Sequence, residues 1–556
     1  MKAVKLFVLG IISLTIFNSC NSNEIDDLQN QISSLETRTT LLEADVAKLK
    51  ELIEKVNTIK ESLDNLDGLV ETNTQLLNTF KDKIDSIEEA MVNSDKDMNE
   101  LEAELSEVKT ALDNFMEQNK IFPGDLIIHS SVHADIVKLF EERKYEIIMG
   151  DLLISNVSAS SIEYLNNLIV VGGDFSIKDT DLINLETFSN LTAAGEIRIG
   201  NNTLLESLKG LENLTKVGGQ FLIYDNASLE SLIGLENLIE TGTYFNISGN
   251  NSLKSLTGLE ILTEIGKQFS IYNNTSLESL TGLENLTKIG GNFNIGGNIL
   301  LESLTGLKNL TEIGGDFNIE RNPLESLTGL ANLTKIGGSY RVYGNPLLKS
   351  LTGLENLTEI AGQFSISNSE SLKNLTGLGN LTKIGQGFDI RHNNLLESLA
   401  GLTNLTEIGG TFDIQDNNSL KSLAGLTNLT EIGEAFDIHD NNSLKSLVGL
   451  ENLTKIGGAF DIKQNDLLES LTGLENLTEI GGSLEIRSNY LLETLTGLEN
   501  LIEIGGPFII SNNEILVSFC SLQNYLNSDD SIDLDIYSNT YNPTIEEIKD
   551  SSTCEQ

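Results

Sequence analysis

The best candidates for contact with a ligand are nine side chains at recurring outward positions of a repeated strand pattern. Each one stands beside the inward aromatic or aliphatic residues of its strand, mostly phenylalanine and isoleucine, and the outward residues vary from copy to copy. In the N-terminal half of the repeats several of them are tyrosines, which stack on sugars or anchor a protein partner. These tyrosines are Tyr224, Tyr244, Tyr272 and Tyr343.

In the C-terminal half the central outward column of the same strands becomes acidic, at Asp389, Asp413, Asp437, Asp461 and Glu485. Like charges on neighbouring strands repel each other, so we expect a compensating cation. Two explanations are open. Calcium would use oxygens of Asp413 and Asp437, with Asp416 and Asp440 adding further carboxylates. We favour the alternative, internal pairing with the column two residues along, which consists of Arg391, Gln415, His439, Lys463 and Arg487.

The sequence shows no nucleophile, base and acid arranged for catalysis. Parallel β-helices include polysaccharide lyases and hydrolases, but a catalytic site should interrupt the repeat with a cluster of unusual residues. Here even the acidic column follows the period. We therefore predict that the protein is not an enzyme and needs no cofactor, with calcium as the open alternative.

The repeat unit is represented by Gly282 to Thr305, GLENLTKIGGNFNIGGNILLESLT, whose copies follow one another at steps of 24 residues, broken once by a step of 23. Its apolar positions include Phe293 and Ile295, which are separated by one outward residue, the period of a β-strand. One turn buries too little apolar surface to offset the entropy of ordering its residues. The pattern therefore predicts a mainly β, parallel solenoid over residues 210–513 in which stacked turns stabilise each other.

Two columns of asparagine support this stacking, because side-chain amides of stacked turns saturate the backbone of the bends. One column comprises Asn202, Asn226, Asn250, Asn274, Asn298, Asn322, Asn345, Asn393, Asn417, Asn441, Asn465, Asn489 and Asn513, with Ser369 as the exception. The other includes Asn213, Asn237, Asn285, Asn309, Asn332, Asn356, Asn404, Asn428, Asn452 and Asn476, with Ile261 as the exception.

The N-terminal sequence has the layout of a secretory signal, with two lysines before an apolar run from Leu6 to Phe17. A cysteine that closely follows such a run, here Cys20, resembles the lipobox of bacterial lipoproteins. The resemblance implies a signal peptide over residues 1–19 and a lipidated N-terminus at residues 20–23. The alternative is an ordinary signal with a stray cysteine. In an exported protein, the remaining pair, Cys520 and Cys554, predicts a disulfide.

Residues 24–118 carry apolar residues at alternating spacings of three and four, which predicts a coiled-coil stalk. We favour a self-associating rod over a hairpin turn near Asp67 and Gly68, because a single glycine is a weak helix breaker. Residues 119–209 should form an N-terminal cap with degenerate turns, and residues 514–556 should form a C-terminal cap that includes the disulfide and a helix at Thr544 to Lys549.

The net charge of −46 argues against nucleic acid as a partner and against electrostatic docking on anionic lipid. The lipid anchor would then be the only contact with a membrane, and the coiled coil would make the protein a homo-oligomer. The ligand would be a protein or a glycan at the cell surface.

The repeat L-x-N-L-T-x-I-G-G-x-F-x-I-x-x-N-x-x-L-x-S-L resembles the receptor L-domain over roughly residues 150–513, and the start of the rod resembles surface lipoproteins of Bacteroidetes. The resemblance implies a right-handed parallel β-solenoid on an outer-membrane lipoprotein that is exposed at the cell surface. It implies a binding or adhesion role. A structural spacer without a specific ligand is the alternative, followed by a glycan-degrading enzyme.

Overall fold

The computed structural model describes residues 22–63, 70–93, 97–130, 134–528 and 533–556. The predicted signal peptide and Cys20 therefore lie outside the described residues. The chain divides into two compact units. The first consists of residues up to Ile154 together with 160–176 and 190–195, and the second contains the rest of the chain.

Three helices begin the first unit, and their apolar heptad positions share one core. They are α1 (Ser22–Leu63), α2 (Val70–Asn93) and α3 (Met98–Gln118). An ion pair of 2.6 Å between Arg38 and Glu102 joins α1 to α3. No helix within the described part of the chain is long and apolar enough to cross a membrane. The buried side chains of the helical core include Leu42, Val46, Leu49, Ile53, Phe80, Ile84, Ile87, Leu101, Leu105, Val108, Leu112 and Phe115.

The single rod predicted for residues 24–118 is wrong. The heptads are helical as expected, but each helix buries its apolar seam against the other two helices of the same chain. The first helix ends at Leu63, before Gly68. The third helix begins after Asp97, whose carboxylate accepts a hydrogen bond from the backbone N–H of Asn99 at 3.4 Å. A capped restart of this kind separates the helices, so three packed helices replace the predicted stalk.

In residues 119–209, the segment predicted as an N-terminal cap, the structure has short strands and one helix before the regular repeats. Ile147 pairs in parallel with Ile121 of the preceding turn and with Val170 of the following turn. The elements that lead into the regular repeats are β1 (Ile121–Phe122), β2 (Leu126–His129), α4 (Ala134–Arg143), β3 (Ile147–Ile148), β4 (Leu152–Ser155), β5 (Val170–Lys178) and β6 (Ala193–Gly200).

The structure confirms the parallel β-solenoid, with about 17 turns at a spacing near 24 residues, and the regular turns belong to the second unit. Each regular turn has a two-residue strand, a bend and a longer strand. The short strands are β7 (Lys216–Val217), β9 (Glu240–Thr241), β11 (Glu264–Ile265), β13 (Lys288–Ile289), β15 (Glu312–Ile313), β17 (Lys335–Ile336), β19 (Glu359–Ile360), β21 (Lys383–Ile384), β23 (Glu407–Ile408), β25 (Glu431–Ile432), β27 (Lys455–Ile456), β29 (Glu479–Ile480) and β31 (Glu503–Ile504). The long strands are β8 (Gln220–Tyr224), β10 (Tyr244–Ser248), β12 (Gln268–Tyr272), β14 (Phe293–Gly296), β16 (Phe317–Glu320), β18 (Tyr340–Tyr343), β20 (Phe364–Ser367), β22 (Phe388–Arg391), β24 (Phe412–Gln415), β26 (Phe436–His439), β28 (Phe460–Lys463), β30 (Leu484–Arg487) and β32 (Phe508–Ser511).

The inward side chains form continuous stacks through the solenoid. Phe293 pairs in register with Phe317, and Ile295 pairs with Ile319. All four side chains are fully buried. The rings of Phe293 and Phe317 are stacked with their centroids 5.2 Å apart. The inward positions that the period predicted are therefore confirmed, and they explain how one turn stabilises the next.

The glycine that opens each repeat is required by the backbone. At Gly282 the φ angle is +109°, a conformation that L-residues rarely adopt. A Cβ atom at this position would lie 2.1 Å from the carbonyl oxygen of Leu256 in the preceding turn. The repeated glycine thus allows successive turns to approach each other closely.

The first asparagine column is a buried hydrogen-bond ladder. The backbone N–H of Asn417 donates to the Oδ1 atom of Asn441 at 3.1 Å. The Nδ2 atom of Asn441 donates to the carbonyl oxygen of Ile414 at 2.8 Å. Asparagines of the second column also bind the backbone of the preceding turn, as Asn285 does by donating to the carbonyl oxygen of Glu260 at 2.7 Å. The predicted role of both columns is therefore confirmed.

The stack of aromatic rings contains one buried hydroxyl group, which gives a stability prediction. Tyr340 is fully buried, and its hydroxyl has no hydrogen-bond partner in the described structure. We expect Tyr340→Phe to raise the free energy of unfolding by about 1–2 kcal/mol, because it removes an unpaired buried polar group and keeps the ring. Urea denaturation measures the change. Tyr343→Phe is the control, since Tyr343 is 39% exposed and should give no comparable gain. A less stable Tyr340→Phe variant would contradict the prediction.

The C-terminal cap continues the sheet and the asparagine ladder beyond the last repeat. Strand β33 (Leu534–Tyr537) pairs in parallel with β32. Asn539 accepts a hydrogen bond from the Asn513 N–H at 3.0 Å, which the sequence period did not reveal. The predicted disulfide between Cys520 and Cys554 is present. Two short helices, α5 (Gln523–Ser528) and α6 (Ile545–Lys549), complete the cap, and the second confirms the helix predicted there.

Candidate ligand-binding face

The outward side chains of the long strands form a surface that we call the outer face. In β12 the outward residues are Gln268, Ser270 and Tyr272, on either side of the inward Phe269 and Ile271. Parallel in-register pairing repeats this arrangement in each turn. The outer face therefore consists of a first, a central and a last column, with neighbouring turns about 4.8 Å apart.

The structure divides the four candidate tyrosines between two columns. The last column contains Tyr224, Tyr272 and Tyr343. Tyr224 and Tyr272 pair with Ser248 from its two sides, and the same register continues through Gly296 and Glu320 to Tyr343. Tyr244 lies in the first column, opposite Gln268. Three of the predicted residues are thus brought into one line, and the fourth stands at the other edge of the strand.

The three tyrosines of the last column have different surroundings. The Nζ atom of Lys178 lies 5.9 Å from the ring centroid of Tyr224, and the guanidinium of Arg321 lies 5.6 Å from that of Tyr343. Tyr272 is half-buried, and this burial raises the pKa of its hydroxyl to about 12. Tyr272 therefore stays neutral at physiological pH, and all three rings serve as aromatic surfaces with a polar end.

The central column is neutral in the N-terminal half of the solenoid. The Nδ2 atom of Asn318 donates to the Oδ1 atom of Asn294 at 2.6 Å, and Asn294 donates to the hydroxyl of Ser270 at 3.3 Å. These amides and hydroxyls run parallel to the tyrosine column. Ser270 and Asn294 are buried in this network, so the amides that this part of the outer face offers beside the aromatic rings are those of Asn246 and Asn318, which are part exposed.

The acidic half of the central column begins with an arginine bridge. The guanidinium of Arg391 approaches Asp389 at 2.6 Å and donates from Nη2 to the Oδ2 atom of Asp413 at 2.8 Å. The contact with Asp389 is an ion pair whose geometry does not align a hydrogen bond. Internal pairing, the explanation favoured from the sequence, is confirmed for these two carboxylates.

A lysine bridges the other end of the acidic column. Lys463 lies 2.8 Å from a carboxylate oxygen of Asp461 and 3.0 Å from one of Glu485. Arg487 adds a further contact of 3.3 Å to Glu485. Four of the five acidic side chains are therefore compensated by residues of the last column.

Asp437 is the acidic residue that neither bridge reaches. It stands in register between Asp413 and Asp461. Burial, followed by the negative charges of Asp461 and Asp413, raises its pKa from 3.8 to about 6, and only His439 acts in the opposite direction. At neutral pH the charged carboxylate of Asp437 is therefore destabilised by burial and by repulsion from the two neighbouring carboxylates.

We expect Asp437→Asn to stabilise the protein by on the order of 1 kcal/mol at pH 7.5, after allowance for solvent screening of a half-buried group. The folded chain holds the proton of Asp437 up to about pH 6, whereas the ordinary pKa is 3.8. The destabilisation caused by the charged carboxylate is thus absent below about pH 4 and reaches its full size above about pH 6. The stability gained by Asp437→Asn should show the same pH dependence. Urea denaturation across this range measures the effect. Asp440→Asn removes a nearby charge as control, and an equal gain from it, or a gain that persists at pH 3.5, would contradict the prediction.

The weak calcium candidates do not converge. Asp416 and Asp440 occupy the position after the last column, where the backbone is left-handed with φ of 54° and 57°. Asp416 lies 3.3 Å from His392, and Asp440 lies 3.0 Å from His439. Throughout the described ranges, no three His, Cys, Asp or Glu side chains form a group suited to a metal ion. Nothing positive for calcium emerges at Asp413, Asp416, Asp437 or Asp440.

The repeats also match a known protein family. The family model described as BspA type leucine rich repeat region matches six copies over the overlapping segments 173–297, 263–395 and 338–461, which together cover just over half of the chain. The chain belongs to this family. No match was found among curated proteins.

Family membership supports the coarser part of the functional prediction. A BspA type leucine-rich repeat solenoid suggests a protein-binding or adhesion role, and proteins of this kind are in general not enzymes. No arrangement of catalytic side chains emerges from the described residues. The receptor L-domain type and the Bacteroidetes resemblance stay predictions.

Sequence reasoning missed two glycines of the outer face. Gly200 and Gly296 occupy the last column directly beside Tyr224 and Tyr272. The sequence contains a signal for this arrangement, because both glycines stand at an outward strand position where most other copies of the repeat have a side chain. It becomes visible only when the copies are aligned column by column.

Proposed function

We propose that this chain is a lipid-anchored binding or adhesion protein of the cell surface, which presents the outer face of its solenoid to a protein or glycan ligand. One observation carries the proposal. The inward columns repeat leucine, phenylalanine and isoleucine with few exceptions, whereas the outward columns change from turn to turn. Stacking requires a uniform interior but leaves the outside free to vary, so the variation favours contact with a ligand.

The parallel strands support the same function. Their side chains form one extended surface in which neutral, aromatic and acidic stretches follow each other in a fixed order. A surface of this kind offers many weak contacts that add up over several turns. Solenoids of other families use such extended surfaces for binding.

The ligand-binding proposal is tested with the full-length chain. We expect it to bind at least one member of a panel that contains glycan arrays, matrix proteins and whole cells. Loss of this binding is expected when tyrosines of the last column are replaced. A spacer protein would instead bind nothing, and substitutions on the outer face would leave every phenotype intact. Release of shortened products from a polysaccharide panel would favour the enzyme alternative.

The lipid anchor is proposed from the sequence around Cys20. Metabolic labelling with a clickable fatty acid should modify the wild-type chain and leave Cys20→Ser unmodified. Protease treatment of intact cells should remove the solenoid if it is displayed outside. A chain that resists the protease until cells are lysed would contradict surface display.

Self-association through the helical segment is part of the proposal. The structure leaves two leucines of α1 exposed, Leu35 by 46% and Leu41 by 63%. Exposed leucines on a heptad-patterned helix favour a partner helix from a second copy. Sedimentation of the full-length chain should give a mass above that of one chain, and Leu41→Glu should reduce it. A monomer at micromolar concentration would contradict self-association.

A further inference from the structure

Two tyrosine rings of the outer face each lie over a glycine. Tyr224 pairs in register with Gly200 of the preceding turn, and Tyr272 pairs with Gly296 of the following turn. A Cβ atom on Gly200 would lie only 2.2 Å from Cζ of Tyr224, and one on Gly296 would lie 2.5 Å from Cε1 of Tyr272. Each ring therefore occupies the space that a side chain of the neighbouring turn would fill.

This arrangement turns the rings into flat surfaces. The Cβ position at Gly200 is nearly equidistant from Cε1 and Cε2 of Tyr224, at 2.6 and 2.5 Å, so the ring covers the glycine with its face. One face of the ring packs on the backbone of the sheet, and the opposite face is turned outward. Tyr272 is only partly buried, which agrees with a ring that is covered on one side.

The third tyrosine of the column provides an internal comparison. Tyr343 is flanked by Glu320 and Ser367, and no glycine lies beside it. Instead it is 39% exposed and contacts Arg321. The coupling of tyrosine with glycine is thus specific to the N-terminal part of the outer face.

The surface along these rings is uncharged in its central column. That column runs through Leu222, Asn246, Ser270, Asn294 and Asn318. In a chain with a net charge of −46, a neutral stretch of five turns contrasts with the acidic column further along. Opposite charges flank this stretch, because the Nζ atom of Lys178 lies 5.9 Å from the ring centroid of Tyr224 and Glu320 pairs with Gly296. A ligand of one charge sign would therefore be attracted at one end and repelled at the other, whereas the part-exposed amide of Asn246 can exchange hydrogen bonds with hydroxyl groups.

We propose that Tyr224 and Tyr272 are two stacking platforms for an uncharged polysaccharide that runs along the solenoid axis. The apolar C–H face of a pyranose ring stacks on each tyrosine, and sugar hydroxyls meet the part-exposed amide of Asn246 in the turn between them. The inference rests on the proposed binding function and names its ligand class.

The spacing of the rings sets the minimum size of the ligand. The two rings lean in opposite directions, towards turns that are four steps apart, which corresponds to roughly 19 Å. A monosaccharide reaches one platform only. An oligosaccharide long enough to reach both gains affinity from two linked contacts.

Other ligand classes fit this surface less well. Nucleic acid bases also stack on tyrosine, but their phosphates require a basic groove that this acidic chain lacks. Protein partners place aromatic anchors in closely packed apolar centres. Here the central residue of the turn between the two tyrosines is the part-exposed amide of Asn246, which favours a ligand with hydroxyl groups.

The test uses affinity electrophoresis of the full-length chain in gels that contain soluble β-glucan, mannan, xylan or galactan, with alginate as the acidic comparison. We expect retardation by at least one neutral polysaccharide and a decrease in affinity of at least tenfold for Tyr224→Ala combined with Tyr272→Ala. The matched phenylalanine double variant should keep most of the affinity, because it keeps both rings. Tyr490→Ala, which removes an exposed tyrosine from a turn outside the outer face, should leave the affinity unchanged.

A second pair of variants tests the role of the glycines. Gly200→Ala and Gly296→Ala should displace the rings and weaken binding as strongly as loss of the tyrosines, although no aromatic residue is removed. Circular dichroism shows whether the two glycine variants fold. If they do not fold, the alanine variants of the tyrosines still test the platforms.

The outcomes separate the two levels of the proposal. Binding to neutral polysaccharide that survives loss of both tyrosines overturns the platforms and leaves the binding function standing. The same holds for binding to alginate alone or to a protein alone. A wild-type chain that binds no glycan, protein or cell overturns both the platforms and the proposed function.

Discussion

Replacement of Asn441 by alanine is expected to lower the free energy of unfolding of the surrounding turns by on the order of 4 kcal/mol. The side chain of Asn441 is fully buried and accepts a hydrogen bond from the Asn417 N–H at 3.1 Å. It donates to the carbonyl oxygens of Ile414 at 2.8 Å and His439 at 3.0 Å. Alanine leaves the Asn417 N–H and the Ile414 carbonyl buried without these partners, and each such group costs about 1–3 kcal/mol.

The adjacent residue provides a matched control. Asn442 is exposed and makes a single side-chain hydrogen bond to Asn418 at 2.9 Å. Asn442→Ala should therefore change stability by less than about 0.5 kcal/mol. Because a solenoid need not unfold in one step, urea-dependent hydrogen exchange of the turns around residue 441 is the suitable measurement. Equal effects of the two substitutions would contradict the ladder as the main source of stability between turns.

The interior of the solenoid was predictable because its period and its chemistry agree. A strand period around Phe293 and Ile295, combined with a step of 24 residues, allows only one register for stacked turns, and the structure has it. The asparagine ladder followed from the same alignment. Because the same pattern recurs in every turn, each assignment of an inward position can be checked against the equivalent residues of the other turns.

The outer face was predictable in composition but not in geometry. The sequence placed Tyr224, Tyr244 and Tyr272 on one surface, yet Tyr244 lies in a different column from the other two. The direction in which each ring leans depends on the neighbouring turn, and the missing side chains of Gly200 and Gly296 decide it. Such contacts depend on residues 24 positions away, which local patterns do not reveal.

The helical segment was mispredicted because heptads do not specify the partner. The seam that contains Leu42 and Val46 is buried, as its pattern requires. The pattern is satisfied equally well by another chain or by a later part of the same chain. The capped restart after Asp97 was the local signal that favoured the second solution.

The ladder has one defect, at Ser369, and its repair gives the last prediction. The Ser369 N–H donates to the Oδ1 atom of Asn393 at 3.1 Å, as an asparagine would, but its buried hydroxyl has no partner in the described structure. Serine lacks the side-chain carbonyl that would accept from the Asn345 N–H and the amide that would donate to the Val342 carbonyl. The step between the turns of Asn345 and Ser369 is therefore the weakest of the ladder.

We expect Ser369→Asn to raise the free energy of unfolding by about 2 kcal/mol, since it supplies two hydrogen bonds to buried backbone groups. Ser369→Ala separates this gain from the mere removal of an unpaired hydroxyl, and it should shift stability by less than half as much. Hydrogen exchange should slow chiefly in the turns of Asn345 and Ser369, not uniformly along the solenoid. If Ser369→Asn proves no more stable than the wild type, the backbone at this step has adapted to serine. The outer face changes from aromatic to acidic near this step, between Tyr343 and Asp389. In that case the turn of Ser369, which joins the two halves of the surface, would have a stable backbone arrangement of its own and would not be a defect of the ladder.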